Sequence, residues 1–183
     1  DIVGYQMYLD LLGPLIDGKD CHHSDLGAEE ARARHALELA ATGKDVALIG
    51  SGDAGIYALA TLVFELLDRE DRSDWNRVAV QVSPGISALQ AAASRIGAPL
   101  GHDFCAISLS DLLTPRRLKA TAEGDFVIAF YNPVSKRRRD LLAKARDILL
   151  DHRNADTPVV LGRQLGRPDE EITVVPLSKL EVD

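Results

Sequence analysis

The chain of 183 residues has few cysteines, fewer basic than acidic residues and no long apolar run. Its two cysteines, Cys21 and Cys105, are too few for a disulfide framework. Reduced thiols are typical of cytosolic proteins, so we predict a cytoplasmic location. No segment approaches the roughly 20 consecutive apolar residues that cross a bilayer, so we expect no membrane partner.

The shortage of positive charge argues against a nucleic-acid partner. Lysine and arginine number 21 against 28 aspartates and glutamates, which gives a net charge of −7 and a pI near 5.2. Proteins that bind the phosphate backbone normally present a basic face. Hydrophobic residues make up 46% of the chain, so a chain of this length can bury a core without a disulfide or a metal.

Strand-like and helix-like patterns alternate through the first part of the chain. Apolar runs predict strands at 2–8, 45–49, 77–82 and 104–109. Helical spacing predicts helices at 28–41, at 56–67 and from Pro84 to residue 96, and residues 9–26 are predicted as a loop. Such alternation indicates an α/β fold with a parallel, doubly wound sheet.

A change of composition near residues 110–115 indicates a second domain. The pattern beyond it predicts helices at 115–122 and 136–151 and strands at 125–131, 158–162 and 171–175. We therefore predict an N-terminal α/β domain over residues 1–110 and a smaller, mixed α/β domain over residues 111–183.

A glycine-rich turn follows the predicted strand at 45–49. Gly50, Gly52 and Gly55 match the spacing GxGxxG of dinucleotide-binding folds. Asp53 within the turn would repel a pyrophosphate, and no carboxylate follows the next predicted strand to bind a ribose. An NAD(P)-dependent oxidoreductase is therefore the weaker alternative.

Asp53 suits a ligand that carries hydroxyls and a positive charge. S-adenosylmethionine has a ribose, an ammonium group and a sulfonium. Alternatively, Asp53 caps the helix predicted to begin near Gly55 and Ile56. Ser87 and Ala88 lie on the first turn of the next predicted helix, where they mark either an ordinary helix start or a second wall of the site. In parallel sheets, ligands bind beyond the carboxyl ends of the strands.

Two basic clusters stand at predicted helix starts, where the helix dipole disfavours cations. The first comprises Arg116, Arg117 and Lys119, and the second spans residues 136–139. They indicate either a polycarboxylate or phosphate ligand or ordinary surface charge. The adjacent Cys21, His22 and His23 lack a fourth ligand at the usual spacing, so we expect exposed loop residues and no metal.

Six segments carry a resemblance to a known family. They are 3–12 (VGYQMYLDLL), 46–60 (VALIGSGDAGIYALA), 82–100 (VSPGISALQAAASRIGAPL), 101–115 (GHDFCAISLSDLLTP), 130–138 (FYNPVSKRR) and 160–176 (VLGRQLGRPDEEITVVP). Over nearly its whole length the chain resembles the tetrapyrrole (corrin/porphyrin) methylases, and within them the precorrin-3B C(17)-methyltransferases of cobalamin biosynthesis. The Gly52-Asp53 turn and the Pro84-Gly85 pair are typical of the family.

The resemblance implies two α/β domains, with S-adenosylmethionine in the cleft between them, and a homodimer. It implies that the methyl donor contacts Ser51, Gly52, Asp53, Ile56, Ser87, Ala88, Asn132 and Gly166. Side chains suited to the acetate and propionate groups of a tetrapyrrole are Arg116, Arg117, Lys136, Arg137 and Arg138. Asp111 is the candidate catalytic base.

The reaction implied is methylation of precorrin-3B at carbon 17 with ring contraction to precorrin-4, releasing S-adenosylhomocysteine. A cobalt-loaded substrate, or another ring position, stays open as an alternative within the family. Family members begin with a further strand and a Gly-x-Gly-Pro-Gly loop ahead of the segment at 3–12. We therefore expect the natural protein to extend beyond this chain, at the C-terminus as well.

Overall fold

A computed structural model describes residues 1–109, 115–133 and 140–181 of the chain. Its contacts divide the chain into two compact units, Asp1–Ser87 and Ala88–Asp183. The domain boundary predicted at residues 110 and 111 stays a prediction.

The first unit is built around three parallel strands. Its elements are β1 (Ile2–Tyr5), α1 (Gln6–Leu12), β2 (Cys21–Ser24), α2 (Glu29–Ala41), β3 (Ala47–Ile49) and α3 (Leu59–Glu70). The strand order is β2-β1-β3, with β1 in the centre. Val3 of β1 lies beside His22 on one side and Leu48 on the other.

Residues 9–26, predicted as a loop, include the end of α1, a 3-10 turn at Gly13–Ile16 and strand β2. Strand β2 has the sequence CHHS, which carries no apolar alternation. It forms because β1 offers it a full parallel register from Ile2 to Tyr5. Hydrogen bonding to a neighbouring strand here outweighs the weak intrinsic preference of these side chains for a strand.

The strand predicted at 77–82 is not formed in the described part of the chain. No described strand pairs with this segment, and a strand needs a partner for its backbone groups. The start of the segment is held instead by the turn before it, because the carbonyl oxygen of Trp75 accepts a hydrogen bond from the Val78 amide at 2.9 Å. Val80 packs against the core cluster that contains Trp75.

The core of the first unit lies where α2 and α3 meet. Its buried members are Ala33, Leu37, Val63, Leu66 and Trp75. They come from both helices and from the turn after α3, so this cluster fixes the helices on one another. Leu48 of β3 packs against the same cluster and connects it to the sheet.

The second unit has two separate pairs of strands. Its elements are α4 (Ala88–Ile96), β4 (Phe104–Ser108), α5 (Pro115–Glu123), β5 (Val127–Tyr131), α6 (Leu141–Leu150), β6 (Pro158–Arg163) and β7 (Glu171–Pro176). β4 and β5 are parallel, whereas β6 and β7 are antiparallel. Leu118 of α5 and Ala145 of α6 are fully buried in the core of this unit. Within the described ranges, no helix has the length and apolar character to cross a membrane.

Candidate functional site

Asp53 does not cap a helix. The helix predicted to begin near residue 56 begins at Leu59, and its N-cap residue, Ala58, makes no side-chain capping bond. Tyr57 has a φ of +52°, a left-handed conformation that does not continue into a right-handed helix. The loop after β3 is therefore longer than the sequence predicts, and Asp53 is available for another role.

Asp53 joins two loops that are distant in sequence. Its Oδ1 accepts a hydrogen bond from the Gly55 amide at 2.8 Å, and its Oδ2 accepts one from the Gly85 amide at 3.1 Å. These two amides, Gly85 foremost, lower the pKa of the Asp53 carboxyl because they stabilise its charged form. We call this arrangement the Asp53 bridge.

Next to the Asp53 bridge, the two loops touch backbone to backbone. A Cβ atom added at Gly85 would lie 3.0 Å from the Gly52 carbonyl carbon and 3.3 Å from the Asp53 Cα, and closer still to the Gly52 carbonyl oxygen. Gly52 has a φ of +79°, which favours glycine. The two glycines therefore allow an approach that side chains would prevent.

The remaining predicted residues of the first unit lie in these loops. Ser51 is exposed and Ser87 is buried. Ile56 and Ile86 are 38% and 72% exposed, so each loop presents an apolar side chain beside its polar backbone. Together the loops offer backbone donors and acceptors, a carboxylate and apolar surface. A ligand with hydroxyls and a flat apolar ring matches that set.

We expect Asp53→Asn to loosen both loops. An amide keeps one acceptor oxygen but turns an NH₂ group toward the second backbone amide, so one of the two hydrogen bonds is lost. Amide hydrogen exchange should become severalfold faster at Gly55 and Gly85. Asp68→Asn, which changes an exposed carboxylate of α3, should leave both rates unchanged.

The Asp53 bridge should also weaken in acid. The pKa of the Asp53 carboxyl is lower in the folded protein than the 3.8 that it has in the unfolded chain. The hydrogen bonds that Asp53 accepts therefore contribute fully to stability above pH 3.8. That contribution is lost as the pH falls through the still lower pKa of the folded state. The wild type and Asp53→Asn should therefore converge in unfolding midpoint below pH 3.8, and a constant difference would contradict the assignment.

In the second unit, the end of β5 meets the start of α4. The Tyr131 hydroxyl accepts a hydrogen bond from the Leu89 amide at 3.1 Å, one of the first amides of a helix that have no partner within it. Asn132, with a φ of +51°, donates from its amide nitrogen to Ser108 Oγ at 3.4 Å. The helix predicted from Pro84 begins only at Ala88.

Gly166 lies in the connection between β6 and β7. It is exposed, has a φ of +78° and donates its amide to Glu170 Oε2 at 2.6 Å. The other carboxylate oxygen of Glu170 accepts from Arg95 Nε at 2.6 Å. The Arg95 guanidinium, and then the Gly166 amide, hold the pKa of Glu170 below its usual range.

Sequence reasoning assigned no role to Tyr131, Glu170 or Arg95. The one available signal was the position of Tyr131, an aromatic residue with a hydroxyl at the end of a predicted strand.

The basic residues are only partly within the described chain. Arg116 and Arg117 are exposed on the first turn of α5, which holds no acidic residue. Neither forms an ion pair with another described residue, whereas Lys119 lies 3.8 Å from Glu123. Four further predicted site residues lie outside the described residues: Asp111, Lys136, Arg137 and Arg138.

Cys21, His22 and His23 lie on strand β2 and not in a loop. His22 Nε2 is 2.9 Å from the Asp1 carboxylate, and its Nδ1 is 3.1 Å from His35 Nε2. Within residues 1–109, 115–133 and 140–181, no group of three or more histidines, cysteines or acids is arranged to hold a metal ion.

Comparison with known proteins shows the family to which this chain belongs. The family model of the Tetrapyrrole (Corrin/Porphyrin) Methylases matches residues 2–181. This chain belongs to the tetrapyrrole methylases. A precorrin-3B C(17)-methyltransferase of Sinorhizobium sp. is 45% identical to it over 188 residues, which cover 100% of this chain and 73% of that protein.

Other methylases are similar at comparable levels. A probable cobalt-factor III C(17)-methyltransferase of Salmonella typhimurium is 44% identical and matches 100% of this chain and 76% of its own length. A cobalt-factor III methyltransferase of Priestia megaterium is 42% identical over 98% of this chain, which spans only 34% of that longer protein.

Solved structures support the same assignment. The crystal structure of the methyltransferase CobJ matches 98% of this methylase and 76% of its own chain, with a TM-score of 0.88 at 40% identity. The cobalt precorrin-4 methyltransferase CbiF matches with a TM-score of 0.72 at 21% identity and 97% coverage of this chain, which shows the fold alone. The family, the α/β fold and the methyltransferase class predicted from the sequence are confirmed.

Proposed function

We propose that this methylase transfers a methyl group from S-adenosylmethionine to carbon 17 of precorrin-3B, with ring contraction to precorrin-4, in cobalamin biosynthesis. The observation that carries the proposal is the Asp53 bridge between two glycine loops, in a chain that aligns over its full length with relatives named C(17)-methyltransferases. In the transfer the bond from sulfur to the methyl carbon breaks, a bond from that carbon to C17 forms, and the sulfonium becomes a neutral thioether.

The donor is proposed to contact the two loops of the first unit. Each oxygen of Asp53 accepts one backbone amide and keeps a second lone pair that can accept from a ribose hydroxyl. Ile56 supplies apolar surface for the adenine, and the Ser51–Gly52 backbone can approach closely because glycine has no side chain. Ser87, Ala88, Asn132 and Gly166 are the further proposed donor contacts.

Positioning should supply much of the rate of methyl transfer. The reaction needs the nucleophilic carbon in line with the methyl group and the sulfur, and a well-held pair of reactants gains a large rate advantage. The close backbone approach of Gly52 and Gly85 is proposed to serve that purpose. Asp111 stays the proposed base.

The substrate is proposed to bind through its acetate and propionate groups. Arg116 and Arg117 are exposed and form no ion pair with a described residue, and their position at the start of α5 is disfavoured by the helix dipole. A carboxylate ligand would offset that cost, and arginine can bind it through two parallel hydrogen bonds. Lys136, Arg137 and Arg138 are proposed to act in the same way.

We expect Arg116→Gln and Arg117→Gln each to raise the KM for the tetrapyrrole by about tenfold, the usual cost of one charge-assisted hydrogen bond. The KM for S-adenosylmethionine should not change. Lys119→Gln is the matched control, since its ammonium already lies near Glu123, and it should behave like the wild type. An equal rise in the KM values of both substrates would argue against a carboxylate contact.

A labelling experiment tests the proposed function. Precorrin-3B and its cobalt-loaded counterpart are incubated separately with the protein and donor carrying a labelled methyl group, and the products are analysed by mass spectrometry. Label at carbon 17 of a ring-contracted product is expected, and the preferred substrate distinguishes the two routes. Calorimetry that gives heat with NADH and none with S-adenosylhomocysteine would favour the oxidoreductase alternative.

A homodimer and a cytoplasmic location are also part of this proposal. Sedimentation velocity of the natural protein should give twice the mass of one chain. A monomer at micromolar concentration would contradict the homodimer and leave the proposed reaction unaffected.

A further inference from the structure

We infer that Glu170 is a positioning residue for donor binding, which holds the loop of Gly166 against helix α4. The inference rests on the proposed function, because Gly166 is there a contact of the donor. Glu170 itself is not proposed to touch the donor. Both of its carboxylate oxygens already have partners within the protein.

The Glu170 carboxylate accepts one hydrogen bond at each of its two oxygens. One oxygen accepts the Gly166 amide and the other accepts Arg95 Nε, each at 2.6 Å. Hydrogen bonds to a charged acceptor are shorter and stronger than neutral ones. The carboxylate thus connects Gly166, whose backbone has a positive φ, to the last turn of α4, where Arg95 lies.

Within its own loop, Glu170 restricts the conformation of the Gly166 peptide. The Arg167 amide donates to the Gln164 carbonyl at 3.0 Å, and the Glu170 amide donates to the Arg167 carbonyl at 3.1 Å. These turns bring the Glu170 side chain back toward Gly166. A glycine can adopt many conformations, so the hydrogen bond to Glu170 is what selects one orientation of the Gly166 peptide.

Helix α4 connects the three proposed donor contacts of the second unit. Ala88 is its first residue, and Tyr131 holds the amide of the next residue. Asn132 follows Tyr131 directly, and Arg95 at the other end of α4 reaches Gly166 through Glu170. Loss of either link should therefore displace a donor contact while the hydrophobic core stays intact.

The link through Glu170 should matter more for binding than for stability. The side chains of Arg95 and Glu170 are 49% and 21% exposed, and exposed ion pairs contribute little to the free energy of unfolding. A purely structural role for Glu170 would lower thermal stability and leave the donor affinity of the folded protein unchanged. The two roles are therefore separable by measurement.

The test compares Glu170→Ala and Glu170→Gln with Glu171→Gln, a matched control at the neighbouring acid. Measured are the Kd for S-adenosylhomocysteine by calorimetry, the KM for each substrate, kcat and the melting temperature. Glu170→Ala should raise the Kd and the donor KM about tenfold with the tetrapyrrole KM unchanged. Glu170→Gln should fall between it and the wild type, because its amide oxygen still accepts from Gly166.

A second variant separates the two contacts of Glu170. Arg95→Ala removes the anchor on α4 but leaves the acceptor for Gly166, so it should raise the donor Kd by less than Glu170→Ala. Exchange of the Gly166 amide should be faster in Glu170→Ala than in Arg95→Ala.

Two results would overturn the inference. If the wild type binds S-adenosylhomocysteine and Glu170→Ala keeps the Kd and the donor KM of Glu171→Gln, whatever its melting temperature, Glu170 has no positioning role and the proposed function stands. If the wild type binds no S-adenosylhomocysteine, both the inference and the proposed function fail.

Discussion

Replacing Gly85 with alanine should weaken binding of S-adenosylhomocysteine by roughly a hundredfold, the upper end of what overpacking a tight contact costs. The added Cβ would be 3.0 Å from the carbonyl carbon of Gly52 and 3.3 Å from the Cα of Asp53. These atoms belong to the backbone, so no side-chain rotation relieves the clash. The loops must separate, and the hydrogen bond from the Gly85 amide to Asp53 is then lost as well.

The control for Gly85→Ala is Gly101→Ala. A Cβ at Gly101 would have no atom within 4 Å, so this variant should keep the wild-type Kd. Calorimetry with S-adenosylhomocysteine, at a temperature at which circular dichroism shows both variants folded, gives the comparison. A folded Gly85→Ala with the wild-type Kd would mean that the donor does not bind at these loops.

The sequence predicts that the loops of Asp53 and Gly85 lie close together, but it does not predict the contacts that join them. Two successive apolar runs, each followed by a glycine turn, place both turns at one edge of a sheet. The second run, at 77–82, forms no strand in the described chain, and the loops are joined by Asp53 instead. The partners of Asp53 are backbone amides, which every residue except proline carries, so no side-chain pattern marks them.

The sequence predicted some helices closely, but both apolar and polar segments gave errors, since the apolar run at 77–82 forms no described strand and helix α1 (Gln6–Leu12) was not predicted. Helix α2 was predicted at 28–41 and spans Glu29–Ala41. Strand β2 was missed because a neighbouring strand, not its own composition, determines its structure. The starts of α3 and α4 were predicted too early, since a glycine turn before an apolar run does not reveal how many residues the loop takes.

The contacts that Tyr131 and Glu170 make could not be predicted from the sequence. Tyr131 accepts from an amide at the start of α4, and Glu170 joins Arg95 to Gly166. Each contact depends on how α4 packs against elements that follow it in the chain. Residues proposed to contact the ligand stand in recognisable sequence motifs. The residues that hydrogen-bond to those motifs from elsewhere in the chain are identified only from the fold.

Trp75→Ala should have the largest effect on stability, a loss of about 3–5 kcal/mol in the free energy of unfolding. Trp75 is fully buried and packs between α2 and α3. The guanidinium of Arg72 lies 4.3 Å from the centre of its ring, a cation–π contact that alanine also removes. Phe64→Ala is the control, because this aromatic residue of α3 is 49% exposed and its loss should cost less than 1 kcal/mol, as a surface substitution does.

Trp75→Ala should weaken donor binding as well, at temperatures well below its melting transition. The Trp75 carbonyl accepts the Val78 amide, and Val80 packs on the Trp75 cluster. No described strand pairs with this segment, and these contacts, the Asp53 bridge and the close approach of Gly52 to Gly85 hold the chain leading to Gly85. A cavity at Trp75 should loosen that segment first and raise the Kd for S-adenosylhomocysteine while far-ultraviolet circular dichroism is unchanged. If instead the Kd stays at the wild-type value until the protein unfolds, the Asp53 bridge and the Gly52–Gly85 contact hold the second loop without Trp75. Asp53→Asn should then be the more damaging change for binding.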